Sequence, residues 1–316
     1  MTILVTGAAG FIGSHVAEAL LKRGETVVGI DNLNAYYPTK YKRENLAILR
    51  RSRRFRFSEI DFTQQRAVDE LFRRHQFDRV IHLGARAGVR PSLQRPSLYA
   101  HVNIGGTVTL LDAASRTGVK QFLFASSSSV YGAKSPVPFR ETAELGIPES
   151  PYALTKRVAE HWVEYTSRRT GMPCTVVRLF TVYGPRGRPD MAPYLFTRAM
   201  LRGEPITLFG DGTSRRDYTY VDDAVHGISA ALERPKPFRV YNIGNSHTHD
   251  LRTLVRLIER STKRTATFVW RPAQRGDVPR TWASIRRARR ELGYEPTTSL
   301  AVGIGRFVDW FRRAQR

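Results

Sequence analysis

The chain has 316 residues, of which 41% are hydrophobic and 25% are charged, and its formal net charge is +23. These values are typical of a globular protein with an ample core, and they exclude a low-complexity or fibrous chain. The sequence contains no run of the roughly 18 apolar residues that a membrane helix needs. Its single cysteine excludes an internal disulfide and a cysteine-based metal site, and we expect no metal.

The positive charge comes from 51 Lys and Arg residues against 28 Asp and Glu residues. The basic residues are scattered along predicted helices, without zinc-finger spacing, an RNP-type aromatic motif or a basic run joined to heptads. We interpret them mainly as solvated helix faces, expect no nucleic-acid partner, and allow them a modest role in attracting an anionic ligand. The N-terminal segment lacks a signal-peptide pattern, so we expect a cytoplasmic protein that does not bind membranes.

The predicted elements alternate between strands and helices from the N-terminus. Residues 2–6 read TILVT, a β-rich apolar run, and after GAAGFIG a helical periodicity continues to a stop at Gly24. TVVGIDN is again strand-like, and the alternation continues to about residue 180. The strand segments are nearly continuous apolar runs, as buried parallel strands are. The sequence therefore predicts an α/β fold with a doubly wound parallel sheet of Rossmann type over residues 1–180.

The composition changes after residue 180, where Pro, Gly, Asp and Arg become frequent and indicate loops. Helical periodicity returns in three later stretches: 222–233, 251–262 and 300–313. We expect a smaller C-terminal lobe, over 181–316, that binds the substrate. Segments near 217–245 are expected to return to the main sheet.

A glycine turn joins the first predicted strand to the first helix. Gly7, Gly10 and Gly13 lack side chains, so the backbone can approach a pyrophosphate at the positive end of the helix. Asp31 follows at the end of the second strand, where a carboxylate accepts both ribose hydroxyls and repels a 2′-phosphate. The pattern predicts a dinucleotide site that favours NAD over NADP.

The G-x-x-G-x-x-G spacing resembles that of the extended short-chain dehydrogenase/reductase superfamily. The resemblance draws attention to Tyr152 and Lys156, which lie at i and i+4 on one helix face. We expect the Lys156 ammonium, with the positive nicotinamide ring, to lower the pKa of Tyr152 toward neutral, so that the phenolate acts as a general base on a sugar hydroxyl. Ser127, on the preceding strand, is the first choice to share a hydrogen bond with the reacting oxygen, and Ser128 is the alternative.

A narrower resemblance covers nearly the whole chain. The segments DNLNAYYPTKYKRENL, GARAGVRPSLQRP, FTVYGPRGRPDMAPYLF and GDGTSRRDYTYVDD are similar to those of nucleotide-sugar 4-epimerases. The Tyr-Tyr pair, AGVR and GRPDMA are features of the branch that acts on UDP-glucuronate. The block QRGDV departs from the usual QPGDV, because Arg275 replaces the proline.

The resemblance implies roles for individual residues. It implies an NAD site formed by Gly7, Gly10, Phe11, Ile12, Gly13, Asp31, Asn32, Asp61, Phe62, Leu83, Ala85, Asn103 and Lys156. It implies a UDP-sugar site formed by Arg90, Ser127, Ser128, Ser129, Thr181, Arg188, Arg216, Gln274 and Asp277. It also implies a homodimer in which helices near 100–117 and 152–169 pair across a two-fold axis.

The identity of the sugar depends on few positions. An asparagine is usual at the position of Thr181 in UDP-galactose-type enzymes, so Thr181 points away from neutral hexoses. We expect Arg90, with the serine cluster and Thr181, to hold a C5 carboxylate. Related dehydratases and decarboxylases have an acid where Ser128 stands, so its absence predicts that the reaction stops at epimerisation.

Three functions remain open at this point. The first is a UDP-uronate 4-epimerase that oxidises C4 to a transient 4-keto sugar. The second is another nucleotide-sugar enzyme, chiefly a UDP-glucose/UDP-galactose 4-epimerase or a UDP-glucuronate decarboxylase. The third is a non-catalytic NAD-binding regulator. We interpret His82 as a core histidine, and Asp217 and Asp222 as capping or structural acids.

Overall fold

The computed structural model describes residues 1–273 and 276–314. The strands are β1 Thr2–Thr6, β2 Thr26–Asp31, β3 Phe55–Glu59, β4 Arg79–His82, β5 Gln121–Ser127, β6 Cys174–Leu179, β7 Thr181–Tyr183, β8 Ile206–Phe209, β9 Arg215–Arg216, β10 Tyr218–Tyr220, β11 Phe238–Ile243, β12 His249–Asp250 and β13 Phe268–Arg271. The helices are α1 Phe11–Lys22, α2 Thr39–Leu49, α3 Gln65–Arg74, α4 Val89–Gln94, α5 Pro96–Tyr99, α6 Gly106–Arg116, α7 Pro151–Thr170, α8 Ala192–Arg202, α9 Val221–Glu233, α10 Leu251–Thr262, α11 Arg286–Leu292 and α12 Leu300–Ala314. A π-helical turn, Ala100–Gly105, joins α5 to α6, and a 3-10 turn, Ser128–Tyr131, follows β5.

Seven strands form one parallel sheet in the order β11-β6-β5-β4-β1-β2-β3. From β1 the chain builds outward to β3, then returns to β4 on the other side and builds outward again. This doubly wound order confirms the predicted fold class, and it places a topological switch point between β1 and β4. Ligands of such sheets bind in the crevice beyond the carboxyl ends of the strands at the switch point.

The sheet is buried on both faces because its strands alternate between two apolar layers. On β5, Leu123 and Ala125 belong to one core cluster, whereas Phe122 and Phe124 belong to the other. Successive side chains of a strand point to opposite faces, so a strand covered on both sides needs apolar residues at every position. This requirement explains why the sequence shows continuous apolar runs rather than alternation.

The C-terminal part of the chain is interleaved with the main sheet. Helix α9 packs on α1, and β11 then adds to the main sheet beside β6. The remaining strands form three small two-stranded sheets, β10-β7, β12-β9 and β13-β8, with α8, α10 and α12 packed beside them. These elements lie next to the carboxyl end of β6, and therefore beside the expected ligand crevice.

A buried carboxylate ties this region together. Asp217, which precedes β10, accepts hydrogen bonds from the backbone N–H groups of Asn245 at 2.7 Å, Ser246 at 3.0 Å and Ala283 at 3.0 Å. Burial nevertheless raises the pKa of Asp217 to about 6. These contacts give Asp217 a structural role, which agrees with its interpretation from the sequence.

His82 also has the environment expected of a core residue. Its two ring nitrogens lie 2.7 Å from the Thr6 hydroxyl and 3.1 Å from the Thr107 hydroxyl, and its side chain is buried. Burial lowers its pKa well below the usual value, so the ring is neutral at physiological pH. Within residues 1–273 and 276–314, no helix is both long enough and apolar enough to cross a bilayer.

Candidate active site

A cleft of about 740 Å³ opens at the switch point, beyond the carboxyl ends of β1, β2, β4, β5 and β6. Most of the residues predicted from the sequence line it together. These are Gly7, Gly10, Phe11, Ile12, Gly13, Asp31, Asn32, Phe62, Leu83, Ala85, Arg90, Ser127, Ser128, Ser129, Tyr152, Lys156, Thr181, Arg188 and Asp277.

The glycine turn at one end of the cleft has no space for side chains. Gly7 has a φ of +68°, and its carbonyl oxygen accepts the Gly10 N–H at 2.9 Å. A Cβ atom added at Gly13 would lie 2.1 Å from that same oxygen, which no real structure permits. The turn therefore exposes backbone N–H groups at the N-terminus of α1, and it fits the pyrophosphate of a dinucleotide.

Asp31 lies at the end of β2, where a ribose hydroxyl is expected. Its Oδ1 accepts the Leu33 N–H at 2.9 Å and the Lys42 ammonium at 3.0 Å. Its Oδ2 accepts no hydrogen bond from the described residues, so it remains free to accept one from a ribose. Lys42 could not be predicted from the sequence, which does not show which lysine of α2 turns toward the strand.

Two of the predicted NAD residues act from behind the cleft. The Asp61 carboxylate accepts the Asn32 side-chain N–H at 2.8 Å, and so holds a residue that does line the cleft. Asn103, in the π-helical turn, accepts the Arg86 N–H at 2.8 Å and donates to the Arg86 carbonyl oxygen at 3.0 Å. The structure therefore gives both side chains a supporting position rather than a place on the surface of the cleft.

Helix α7 carries the tyrosine and lysine of the motif. The Ser150 hydroxyl caps the helix by accepting the Ala153 N–H at 3.2 Å, and Pro151 occupies the first turn, where its missing N–H costs nothing. Tyr152 therefore lies at the very start of the helix. The helix packs on β5 and β6, so its buried face meets the carboxyl end of β5.

The Lys156 side chain turns toward the strand. Its ammonium donates to the Ala125 carbonyl oxygen at 2.7 Å and lies 4.7 Å from the centre of the Phe124 ring. Burial lowers the pKa of Lys156 to about 7, although the charge of Glu160 opposes the shift. Lys156 therefore lies in the cleft wall with its charge held by a strand carbonyl and an aromatic ring.

The environment of Tyr152 differs from the expectation. Burial raises the pKa of its phenol, whereas a hydrogen bond with Ser127 and the charge of Arg188 lower it, and burial has the larger effect. Lys156 is not among the groups that shift it. The predicted acidification of Tyr152 involves Lys156 together with the positive nicotinamide ring, so it stays a prediction for the NAD-bound protein.

The serine cluster follows directly from the end of β5. The Ser127 hydroxyl accepts the Ser129 N–H at 3.2 Å and lies 3.2 Å from the Ser129 hydroxyl. Ser128 is buried in the 3-10 turn, with 9% of its surface exposed. Ser127 and Ser128 both line the cleft with Tyr152, and among these serines it is the Ser127 hydroxyl that lowers the pKa of Tyr152 against the larger effect of burial.

The predicted substrate residues are distributed over two cavities. Arg90 lies at the rim, with its side chain 52% exposed, and pairs with Asp277 at 3.3 Å. A second cavity, of about 980 Å³, shares Asp277 with the cleft and is lined by Phe209, Gly210 and Arg215 among others. Among the described residues, it is Arg215 rather than the predicted Arg216 that lines this cavity. Gln274 lies outside the described residues.

The second cavity shows residues that the sequence analysis missed. The Arg90 guanidinium lies 4.8 Å from the centre of the Phe209 ring, so an aromatic side chain and a cation meet at the junction of the two cavities. The FGDG turn after β8 was the available signal, because a glycine-rich turn after an aromatic residue often permits close approach of a ligand. Within residues 1–273 and 276–314, no group of three or more His, Cys, Asp or Glu side chains is placed to hold a metal ion.

Residues 3–244 match the NAD dependent epimerase/dehydratase family, and the chain belongs to it. The match confirms the superfamily resemblance and the dependence on NAD. The glycine turn and Asp31 fit that cofactor for the reasons given above.

Individual relatives narrow the similarity further. The chain is 42% identical to the UDP-glucuronate 4-epimerase of Thermodesulfobacterium geofontis (strain OPF15), over 97% of this chain and 95% of that protein. It is also 42% identical to UDP-glucuronate 4-epimerase 4 of Arabidopsis thaliana, over 98% of this chain and 75% of the relative.

Solved structures show the same similarity. The crystal structure of UDP-glucuronic acid 4-epimerase from Bacillus cereus in complex with UDP-glucuronic acid and NAD has a TM-score of 0.94 and 39% identity, and the match covers 99% of this chain and 100% of that one. The UDP-glucose 4-epimerase of Thermotoga maritima with UDP-glucose has a TM-score of 0.93 and 36% identity, with complete coverage of both chains. The fold is thus shared by enzymes for charged and for neutral sugars, and the choice between them depends on the site.

The glycine turn yields a direct test of cofactor binding. We expect Gly13→Ala to lose most of its bound NAD, about tenfold or more, because the added methyl group pushes the turn away from the pyrophosphate. The measurement is the nucleotide released from purified, heat-denatured protein. Gly305→Ala is the matched control, since it also adds a methyl group to a helical glycine but meets no atom within 4 Å. Equal NAD content in both variants would contradict this account of the turn.

Proposed function

We propose that this protein is an NAD-dependent UDP-glucuronate 4-epimerase, which interconverts UDP-glucuronate and UDP-galacturonate through a transient 4-keto sugar. One observation carries the proposal: Tyr152, Lys156 and Ser127 line one cleft that begins at a dinucleotide-binding glycine turn. The UDP-glucuronate 4-epimerases among the relatives support the choice of substrate.

The chain itself supplies the acid–base chemistry. Tyr152 removes the proton from the C4 hydroxyl, and Ser127 donates a hydrogen bond to the same oxygen. Bound NAD supplies the hydride acceptor and, when oxidised, a positive ring charge near the phenol. That charge matters here, because the protein groups alone leave the pKa of Tyr152 above its usual value. Tyr152 then returns the proton after the sugar has presented its other face.

The absence of an elimination catalyst supports a stop at epimerisation. The position beside Ser127, where related decarboxylases carry an acid, is the buried Ser128. Asp190 also lines the cleft, but its pKa is lowered: burial would raise it, and the hydrogen bonds and charge of Arg188 outweigh that effect. Asp190 is therefore an ion-paired carboxylate rather than a proton donor.

We assign the sugar carboxylate to Arg188 and Thr181, both in the wall of the cleft. A C5 carboxylate is two bonds from C4, so the cation that binds it must lie near Tyr152. Both arginines line the cleft with Tyr152, but Arg188 lies in its wall with a side chain 21% exposed, whereas Arg90 is 52% exposed and pairs with Asp277 at the rim. These contacts support Arg188 ahead of Arg90, which carried this role in the sequence analysis.

We also propose a homodimer and a cytoplasmic location. The outer face of α7 presents Leu154, Trp162 and Tyr165, which are 50%, 40% and 55% exposed and lie at helical spacing. An apolar stripe of this kind fits a second copy of the same helix, related by a two-fold axis.

The lone cysteine, Cys174, is a buried free thiol, which suits the reducing conditions of the proposed cytoplasmic location.

Substrate turnover tests the proposed reaction. We expect the purified protein to convert UDP-glucuronate to UDP-galacturonate without added nucleotide, and Tyr152→Phe to lower the rate about a thousandfold while retaining NAD. The measurement is product identity by NMR, with UDP-glucose and UDP-xylose assayed in parallel. Equal inversion of all three sugars would exclude the carboxylate assignment, and pentose formation with release of CO₂ would favour a decarboxylase. An inactive wild type that binds NAD would favour a non-catalytic regulator.

The oligomeric state tests the exposed face of α7. We expect Trp162→Glu to convert a two-chain particle into a single chain, because a charge would be buried at the centre of the interface. The measurement is molar mass by light scattering after gel filtration. Val302→Glu is the matched control, since Val302 is 50% exposed, comparable with the 40% of Trp162, but lies on α12. A wild-type protein that is already monomeric would contradict the proposed dimer.

A further inference from the structure

Three sequence features of the UDP-glucuronate branch meet at one place in the fold. They are the Tyr-Tyr pair after β2, the AGVR segment at the start of α4, and the GRPDMA segment before α8. Each contributes to one side of the cleft, through Tyr36, Gly88, Arg188 and Asp190. The chemistry assigned above uses Arg188 alone, so the other three residues are unexplained.

The Arg188 guanidinium is held in one orientation by two neighbours. Its Nε donates to Asp190 Oδ1 at 3.0 Å, and its Nη2 donates to Asp190 Oδ2 at 2.5 Å. The Tyr36 hydroxyl donates to Asp190 Oδ2 at 3.1 Å, and the centre of the Tyr36 ring lies 5.3 Å from the guanidinium carbon. The hydrogen bonds from Nε and Nη2 to Asp190, together with the Tyr36 ring, fix the plane of the guanidinium.

Gly88 makes this arrangement sterically possible. A Cβ atom at Gly88 would lie 2.5 Å from the Tyr36 hydroxyl oxygen, and the residue has a φ of +100°. Both the space and the backbone conformation therefore require glycine. The Tyr-Tyr pair therefore depends on the AGVR segment for the space that Tyr36 occupies, and Tyr36 in turn contacts Arg188 and Asp190.

One edge of the guanidinium remains available. With Nε and Nη2 directed at Asp190, the Nη1 of Arg188 makes no hydrogen bond to any described residue. The Arg188 side chain is 21% exposed and that of Asp190 is 39% exposed, so the pair lies at the wall of the cleft rather than in the core. The free N–H groups of an oriented guanidinium are suited to one anionic oxygen of a ligand.

We propose that Tyr36 and Asp190 are positioning residues that orient Arg188 to bind the carboxylate of the uronate sugar, with Gly88 providing the space for Tyr36. This inference rests on the proposed function, because it assigns a specificity device to that same site. The substrate carries anionic oxygens on its diphosphate as well. Arg188 and Tyr152 line the same cleft, which favours the carboxylate, since that group adjoins the reacting carbon.

The test compares Asp190→Asn, Tyr36→Phe, Arg188→Ala and the double variant Arg188→Ala/Asp190→Asn. We expect Asp190→Asn to raise the KM for UDP-glucuronate about tenfold and Tyr36→Phe about threefold, with little change in kcat. The inhibition constant of UDP, which has no sugar, should not change. In the Arg188→Ala background, Asp190→Asn should have no further effect, because Asp190 acts through Arg188.

Tyr41→Phe is the matched control for Tyr36→Phe. The Tyr41 hydroxyl lies 2.7 Å from the Tyr194 hydroxyl, away from the cleft, so this variant also removes one tyrosine hydrogen bond.

Equal losses of affinity for UDP and UDP-glucuronate would assign Arg188 to the diphosphate and overturn the inference. An effect of Asp190→Asn that persists in the Arg188→Ala background would also overturn it. If the wild type fails to epimerise UDP-glucuronate, the proposed function falls and this inference with it; an active wild type with unaffected variants overturns the inference alone.

Discussion

The attachment of helix α7 to the carboxyl ends of β5 and β6 is the constraint on which the active site depends. Lys156 and Glu160 follow Tyr152 at four-residue spacing, so one face of the helix carries all three. Lys156 donates to a β5 carbonyl oxygen, and Glu160 binds the Ser126 hydroxyl and both Nε and Nη2 of Arg178, at 3.0 and 2.7 Å. Removing one partner of a buried ion pair such as Glu160–Arg178 costs about 3–5 kcal/mol. The intact pair adds little net stability, because both charged groups lose their hydration when they are buried. Its effect is to fix where the phenol lies.

Two cations of the cleft are already paired with carboxylates. Lys42 lies against Asp31, and Arg188 lies against Asp190. The first pair leaves Asp31 Oδ2 free to accept a hydrogen bond from a ribose hydroxyl, and the second leaves Arg188 Nη1 free to donate to an anionic oxygen. A cation that is already paired and held in one orientation loses less conformational freedom when it binds a ligand than a mobile cation does. The net charge of +23 therefore favours attraction of an anionic ligand in general, whereas the oriented Arg188 indicates where an anionic group binds.

The sequence predicted the parts of the site that depend on local spacing. The position of Tyr152 on a helix face follows from a periodicity of 3.6 residues, and the glycine turn follows from a strand that runs directly into a helix. Contacts between distant segments were not predictable. Lys156 has the expected position but a different partner, Asn103 supports the cleft rather than lining it, and the contact of Tyr36 with Arg188 joins residues 152 positions apart. Such pairings depend on how loops fold over the sheet, which spacing does not encode.

The central claim is that the Tyr152 phenol, fixed at the end of β5, removes and returns the proton of the C4 hydroxyl, while bound NAD would hold the hydride taken from C4 until it returns to the same carbon. The most direct measurement is turnover of UDP-glucuronate that carries deuterium at C4, in ordinary water. The account predicts that UDP-galacturonate retains the deuterium at C4, because hydride leaves and returns without exchange. A product with solvent hydrogen at C4 would show that inversion proceeds by another route, and would contradict it.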